Sequence, residues 1–283
     1  MVTLAAGVPA VVTRRRRRRP PVSLMAGVAI LGALIVVGLG ISWITPYSPT
    51  QGSSTIFGGM SGSHWLGTDN LGRDLFTRVF VGARFSLRVD VLATLLAAVI
   101  GVPLGLASGY FSGRVDSVIM RVTDTMMALP PILVALALIV ILGHSNTPLI
   151  IGIGVVFIPY FARVVRAHAL TVRERDFVAA ARVACVNHLV IMWRHILPNV
   201  IPTVLVQFAN TASIIVIIEA SLSYLGLGVE PPAPSWGQMI FDAQQSMEFA
   251  PMTLVAPALL VSITTVGWNL LADGLQLVLS PKS

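Results

Sequence analysis

Long stretches of this chain carry no charge at all, and the gaps between charged residues are its most regular feature. A helix crossing about 30 Å of hydrocarbon at about 1.5 Å per residue needs roughly 20 uncharged positions. Residues 24–45, 91–113, 125–162, 195–218 and 249–272 meet or exceed that length. The gap at 125–162 is too long for one crossing, and GHSNTP at 143–148 supplies a turn that splits it in two. Six membrane-spanning helices follow, so the chain reads as an all-α membrane protein. Between the fourth and fifth lies a charged island, 171–199, in which Phe177, Ala180, Ala181, Ala184 and Cys185 recur at the i, i+3, i+4, i+7, i+8 spacing of a helix with one apolar face.

Composition agrees with the pattern: 55% of residues are hydrophobic, 11% are charged, and the mean hydropathy is +0.84, far from the roughly one-quarter charged residues of soluble domains. The net charge of +7 does not indicate nucleic acid, because the arginines fall between apolar runs instead of forming one basic face. Their placement sets an orientation. Six arginines at 14–19 precede Pro20 and Pro21; the apolar run behind them lacks a small-x-small cleavage site, so it reads as a first span with the arginines held in the cytoplasm. Alternation then puts fifteen basic residues inside, against Arg73, Arg78, Arg84 and Arg88 outside. Both termini are expected in the cytoplasm. The expected division is a tail at 1–23, a first span at 24–45, an outer loop and pre-helix at 46–84, a five-helix core at 85–279 containing a cytoplasmic loop at 168–199, and a tail at 280–283. The outer stretch 46–68, rich in Pro, Gly, Ser and Thr, fits an ordered or a flexible loop equally, and a helix is expected from 69 to 88.

Catalytic chemistry finds no material. The five histidines are scattered, the single Cys185 offers neither a disulfide nor a metal cluster, and no G-x-x-x-x-G-K loop exists to hold a nucleotide. The chain is expected to bind no cofactor; if ATP drives it, another subunit binds ATP. Glu219 and Asp124 sit at the ends of spans, where an acid is expensive enough to be a candidate for a pathway or gate. The plainer alternative is an interhelical hydrogen bond. Prolines at 103, 130, 131, 159, 202 and 257 within or beside spans favour a bundle around a pathway over a simple anchor. In the island, Thr171 and Glu174 have capping-box spacing, and Asn187 can cap a second helix ending before Pro198. Two short helices joined near Cys185 form a hairpin outside the bilayer, whose small apolar face suits a groove in a partner.

Residues 176–199, DFVAAARVACVNHLVIMWRHILPN, resemble the signature loop of permease subunits of ATP-binding-cassette importers: E-A-A, three residues, G, nine residues, I-x-L-P. Ala179, Ala180 and Ala181 stand at E-A-A, Cys185 at the glycine, and His195 to Pro198 at the close. Two positions depart from the pattern: Ala179 lacks the acid, and Cys185 replaces a glycine suited to φ > 0. HWLGTDNLGRDLFTRVFVGARFSL (64–87), GVPLGLASGYFSGRVDSVIMRVTD (101–124), EASLSYLGLGVEPPAPSWGQM (219–239) and WNLLADGL (268–275) are similar to the second permease subunit of dipeptide, oligopeptide and nickel importers. The resemblance implies a type I importer permease fold, a heterodimer with a second homologous permease, two ATPase subunits carrying ATP and Mg, and an extracytoplasmic substrate-binding protein. It implies ATPase coupling through Phe177, Ala179, Ala180, Ala181, Ala184, Cys185, Asn187 and His188. It implies that the chain forms half of the translocation pathway of an ATP-driven importer for dipeptides or oligopeptides, with nickel chelates or glutathione as alternative substrates. A stand-alone secondary transporter using Glu219 and Asp124 is the competing expectation.

Overall fold

The computed structural model describes residues 20–143 and 145–279; the arginine block 14–19, His144 and Lys282 lie outside that range. The described residues form helices and loops: α1 (Val22–Ile44), α2 (Leu75–Phe111), α3 (Gly113–Met127), α4 (Pro131–Leu142), α5 (Asn146–Arg173), α6 (Asp176–Val183), α7 (His188–Val190), a π-helical stretch (Ile191–Ile196), α8 (Leu197–Tyr224), α9 (Trp236–Ala243) and α10 (Met252–Leu279). Five units are long and apolar enough to cross a membrane: α1, α2, α5, α10, and the continuous run His188–Tyr224. The pair α3 and α4, bent by 89°, is long and apolar enough only when taken together, as a broken span or a re-entrant loop.

That bend falls at two of the prolines named above as lying within or beside spans. Uncharged residues continue from Thr125, but Pro130 and Pro131 break the backbone, and α4 alone covers twelve residues, or about 18 Å. The helix expected from residue 69 begins at Leu75, because Asp74 caps it by accepting from the Thr77 amide at 2.8 Å. The fifth crossing starts earlier than the charge gap suggested. Pro198 lies inside the continuous run His188–Tyr224. The π turn ahead of it, in which the Leu197 amide reaches the Met192 carbonyl, carries the helix through. The second island helix therefore does not stop before Pro198 but runs straight into the membrane.

The tightest packing joins α2 to α5. Gly101, Gly105 and Gly109 place one bare face of α2 on α5, where an added Cβ would stand 2.6 Å from the Phe161 Cβ, 2.5 Å from the Ala162 carbonyl oxygen and 2.7 Å from the Ala169 Cβ, respectively. This small-x-x-x-small stripe substitutes close backbone approach for the hydrophobic driving force that lipid removes. Around it lies one apolar core, including Leu106, Ile153, Phe157, Phe161, Val165 and Ile196. A second core joins α1, the outer part of α2, α9 and α10 through Leu34, Val79, Trp236, Leu260 and Trp268.

Candidate functional site

Two polar regions stand at opposite ends of the bundle. At one end is the hairpin. α5 ends at Arg173, and α6 follows after a two-residue corner. The expected Thr171–Glu174 capping box is absent: the Thr171 hydroxyl donates to the Ala167 carbonyl within α5, and Glu174 pairs with Arg173. α6 begins instead at Asp176, with Arg175 at its N-cap position and no side-chain cap. It closes in a Schellman motif, with the Cys185 amide donating to the Arg182 carbonyl (3.0 Å) and the Val186 amide to the Ala181 carbonyl (3.1 Å). The motif needs a left-handed residue after the cap, and Cys185 supplies it with φ 55°. Asn187 then caps the following helix, its side-chain oxygen accepting from the Leu189 amide at 2.8 Å.

Because α6 ends at Val183, Ala184 and Cys185 leave the helical face on which the sequence pattern put them. The face that meets the bundle is Val178 and Ala181, packed in the core with Val172, Ile191 and Met192. Of the eight residues assigned to this surface by sequence, Ala181 is buried, while Phe177, Ala179, Ala180, Ala184, Cys185, Asn187 and His188 are exposed. Apolar neighbours join them: Val183 is 86% exposed, Leu189 59% and Trp193 50%. The outcome is an apolar hairpin with its back in the core and its front uncovered.

Its base is braced by residues that sequence reasoning passed over. The Tyr110 hydroxyl lies 2.7 Å from His188 Nδ1, and the Arg182 guanidinium sits 5.3 Å over the Tyr110 ring. Arg173 donates to the Tyr110 carbonyl (3.2 Å) and to the Ser112 hydroxyl. Arg166 grips Asp116 with two bonds, at 2.5 and 2.6 Å, and Ser108 donates to the same carboxylate. The hairpin is thus tied to the ends of α2 and α5 and, through Asp116, to α3. The available signal was the spacing of Ser108, Tyr110 and Ser112 at the end of a span.

Asp124 is an exposed partner of Arg163 at 2.5 Å, linking α3 to α5. Glu219 is fully buried in α8 and accepts from Ser86 of α2 (2.8 Å) and from Ser223 (2.6 Å). One turn along α2 from Ser86 lies Asp90, also fully buried, with neither carboxyl oxygen bonded among the described residues. The sequence reading above assigns Asp90 no role.

The opposite end, 46–78, is ordered by its own hydrogen bonds, which decides between the two expectations for that loop. Asp69 accepts from the Leu71 and Arg73 amides and from Arg73 Nε, and lies 3.2 Å from Arg78 Nε. Arg78 also donates to the Pro49 carbonyl at 2.6 Å. Asp74 meets His64 at 2.9 Å and Thr77 by two bonds. α9 tucks beneath this layer, its Trp236 indole donating to the Val79 carbonyl at 2.8 Å.

The described residues thus form a helical bundle with bent and proline-bearing crossings and a braced, uncovered hairpin. The chain belongs to the family described as the binding-protein-dependent transport system inner membrane component, matched over residues 101–283, and is a multi-pass inner-membrane permease of the ATP-binding-cassette importers. It is 37% identical over 263 residues to the glutathione transport system permease protein GsiD of Pectobacterium atrosepticum, covering 92% of this chain and 87% of that protein. To GsiD of Escherichia coli O6:K15:H31 it is 40% identical over 251 residues, covering 88% and 83%. The fold is similar to a chain of the MetNI methionine ABC transporter solved in inward-facing conformations, with a TM-score of 0.53 at 17% identity, covering 71% of this chain and 97% of that one.

Proposed function

We propose that this chain forms half of the translocation pathway of an ATP-driven importer for glutathione or peptides of similar size. A second homologous permease supplies the other half. Two ATPase subunits, which carry ATP and Mg, bind the exposed hairpin, and an extracytoplasmic substrate-binding protein delivers the solute. The excess of basic residues on the hairpin side supports a cytoplasmic placement of that end and of both termini. The observation that carries the proposal is the hairpin: apolar side chains from Phe177 to Trp193 are exposed on a base held by Tyr110, Arg173 and Arg166. Such a rigid knob transmits a push. ATP-driven closure of the ATPase pair moves the two hairpins together, and the His188–Tyr224 crossing, continuous with the hairpin, carries the motion into the bundle as a rigid body.

Glu219 and Asp124 serve this scheme as interhelical ties, Glu219 through Ser86 and Asp124 through Arg163, which disfavours a stand-alone secondary transporter built on them. The chain itself hydrolyses nothing. The glutathione assignment is supported by the two GsiD relatives, whose names carry that substrate; dipeptides, longer peptides and nickel chelates are the competing outcomes.

The test is uptake by the assembled complex in proteoliposomes. Phe177→Asp combined with Ala180→Asp should lower ATP-dependent uptake by about tenfold or more, the loss of a hot-spot contact, and abolish co-purification of the ATPase. Uptake that survives these changes, or proceeds without the ATPase, defeats the reading. Thermal shift of the substrate-binding protein that co-purifies with the complex, with glutathione, dipeptides and a nickel–histidine chelate, assigns the solute.

A further inference from the structure

The helices of this bundle differ in what they leave uncovered. On α4 and on the 91–100 stretch of α2 every exposed side chain is apolar, Leu95, Val99, Leu133 and Val140 among them. Those surfaces suit lipid. α8 and α10 break this pattern. One face of α8 carries Asn199, Thr203, Asn210 and Ser221, all exposed or half-buried, at the i, i+4, i+11, i+22 positions that share an arc of roughly 40°. On α10 the exposed residues Ser262, Asn269, Asp273 and Gln276 recur at i, i+7, i+11, i+14.

The two stripes meet at a groove of about 370 Å³, lined by Asn199, Thr203 and Asn210 of α8, Gln276 of α10 and His168 of α5, with no acid, lysine or arginine in its wall. Farther along the same α8 face, Ser221 and Tyr224 border a second groove of about 400 Å³, so open space continues toward the other end of the helix. Asn210 stands at the middle of α8, roughly 20 Å from either end. At that depth a carboxamide is costly against lipid and belongs on a protein or water-filled lining. Two of the lining groups are engaged within the chain: Asn199 Nδ2 donates to the His195 carbonyl at 2.8 Å, and the Thr203 hydroxyl lies 3.1 Å from His168 Nδ1. Asn210 and Gln276 are exposed, and their carboxamides make no hydrogen bond among the described residues.

We propose that the open faces of α8 and α10 form this chain's wall of the translocation pathway, and that Asn210 and Gln276 hydrogen-bond the peptide group of the passing solute. The proposal rests on the importer reading above and deepens it by assigning the lining. Each carboxamide offers donors and an acceptor, the complement of a peptide carbonyl and N–H. A groove wall without acid, lysine or arginine suits the neutral backbone that glutathione and dipeptides share, and not one particular side chain. The volume falls within the roughly 300–1,000 Å³ of small-molecule sites.

The test uses the assembled complex in nanodiscs, in a Cys185→Gly background so that only introduced thiols react. Ser262→Cys, Asn269→Cys and Gln276→Cys should react with a charged methanethiosulfonate at least about tenfold faster than Val99→Cys, because the attacking thiolate forms in water and not in lipid. Rates no faster than that of Val99→Cys overturn the wall and mean that lipid or the second permease covers these faces. The contact is read separately. Asn210→Leu should lower ATP-dependent uptake of glutathione or of a dipeptide by about fivefold, the worth of one hydrogen bond, while ATP hydrolysis is unchanged. Asn210→Gln, which keeps the carboxamide, should recover most of the uptake. Gln276→Leu decides the matter if Asn210→Leu fails to assemble. Unchanged uptake in the leucine variants, or an equal loss of uptake and hydrolysis, overturns the contact. Thiol reactivity needs neither a solute nor a working hairpin, so the pathway wall and the importer reading fall separately.

Discussion

The two polar ends of this bundle solve the same problem in opposite ways. At the 46–78 end, charges are paid off internally: Asp69, Arg73, Asp74 and Arg78 are all buried, and each carboxylate gathers several donors. At the hairpin end, the chain leaves its front uncovered and concentrates bonding beneath it, at Tyr110, Asp116, Arg166 and Arg173. One end is finished within a single chain, and the other is a surface waiting for a partner. Buried charge is stable only when paired, whereas an exposed apolar face is tolerated only where something covers it.

The sharpest way to break this contrast is Asp69→Ala, which strands two buried guanidinium groups. A loss of about 3–5 kcal/mol is expected, seen as a drop in thermal unfolding temperature or failure to purify as a monodisperse species; a neutral result would mean that the outer layer is not held by its charges. Asn187→Ala removes the cap of the second hairpin helix and should cost about 1 kcal/mol by the same measurement. Cys185→Gly should act in the other direction, because a left-handed residue other than glycine costs about 1–2 kcal/mol; a higher unfolding temperature checks it. Smallest in stability is Phe177→Asp, expected within about 0.5 kcal/mol in detergent while uptake collapses. If that substitution unfolds the protein, the hairpin front belongs to the core and the contrast fails.

Parts of this were legible and parts were not, for identifiable reasons. The charge gaps located α1, α2, α5 and α10 because lipid forbids unpaired charge, but they misplaced the third and fifth crossings. A gap measures only where charge is missing, and Pro130–Pro131 break a helix inside an uncharged run, whereas the π turn before Pro198 carries the helix past it. The motif spacing placed Cys185 at a glycine position, and its φ of 55° shows that the geometry persists without the glycine. Asp90 escaped notice because its burial depends on α8 packing across α2, which no local window contains.

By itself, the sequence determined an all-helical membrane protein with several crossings, and a conspicuous hairpin between two of them. Those are consequences of the hydrocarbon's intolerance of charge and of helical periodicity, both readable within a few turns. Only the tertiary structure decided which face of α6 is buried, that Val178 and Ala181 turn inward while Phe177 and Ala180 stay out, and that Tyr110 braces the loop. Those outcomes rest on contacts between residues far apart in the chain, where the packing of α2 on α5 fixes what each side chain can reach.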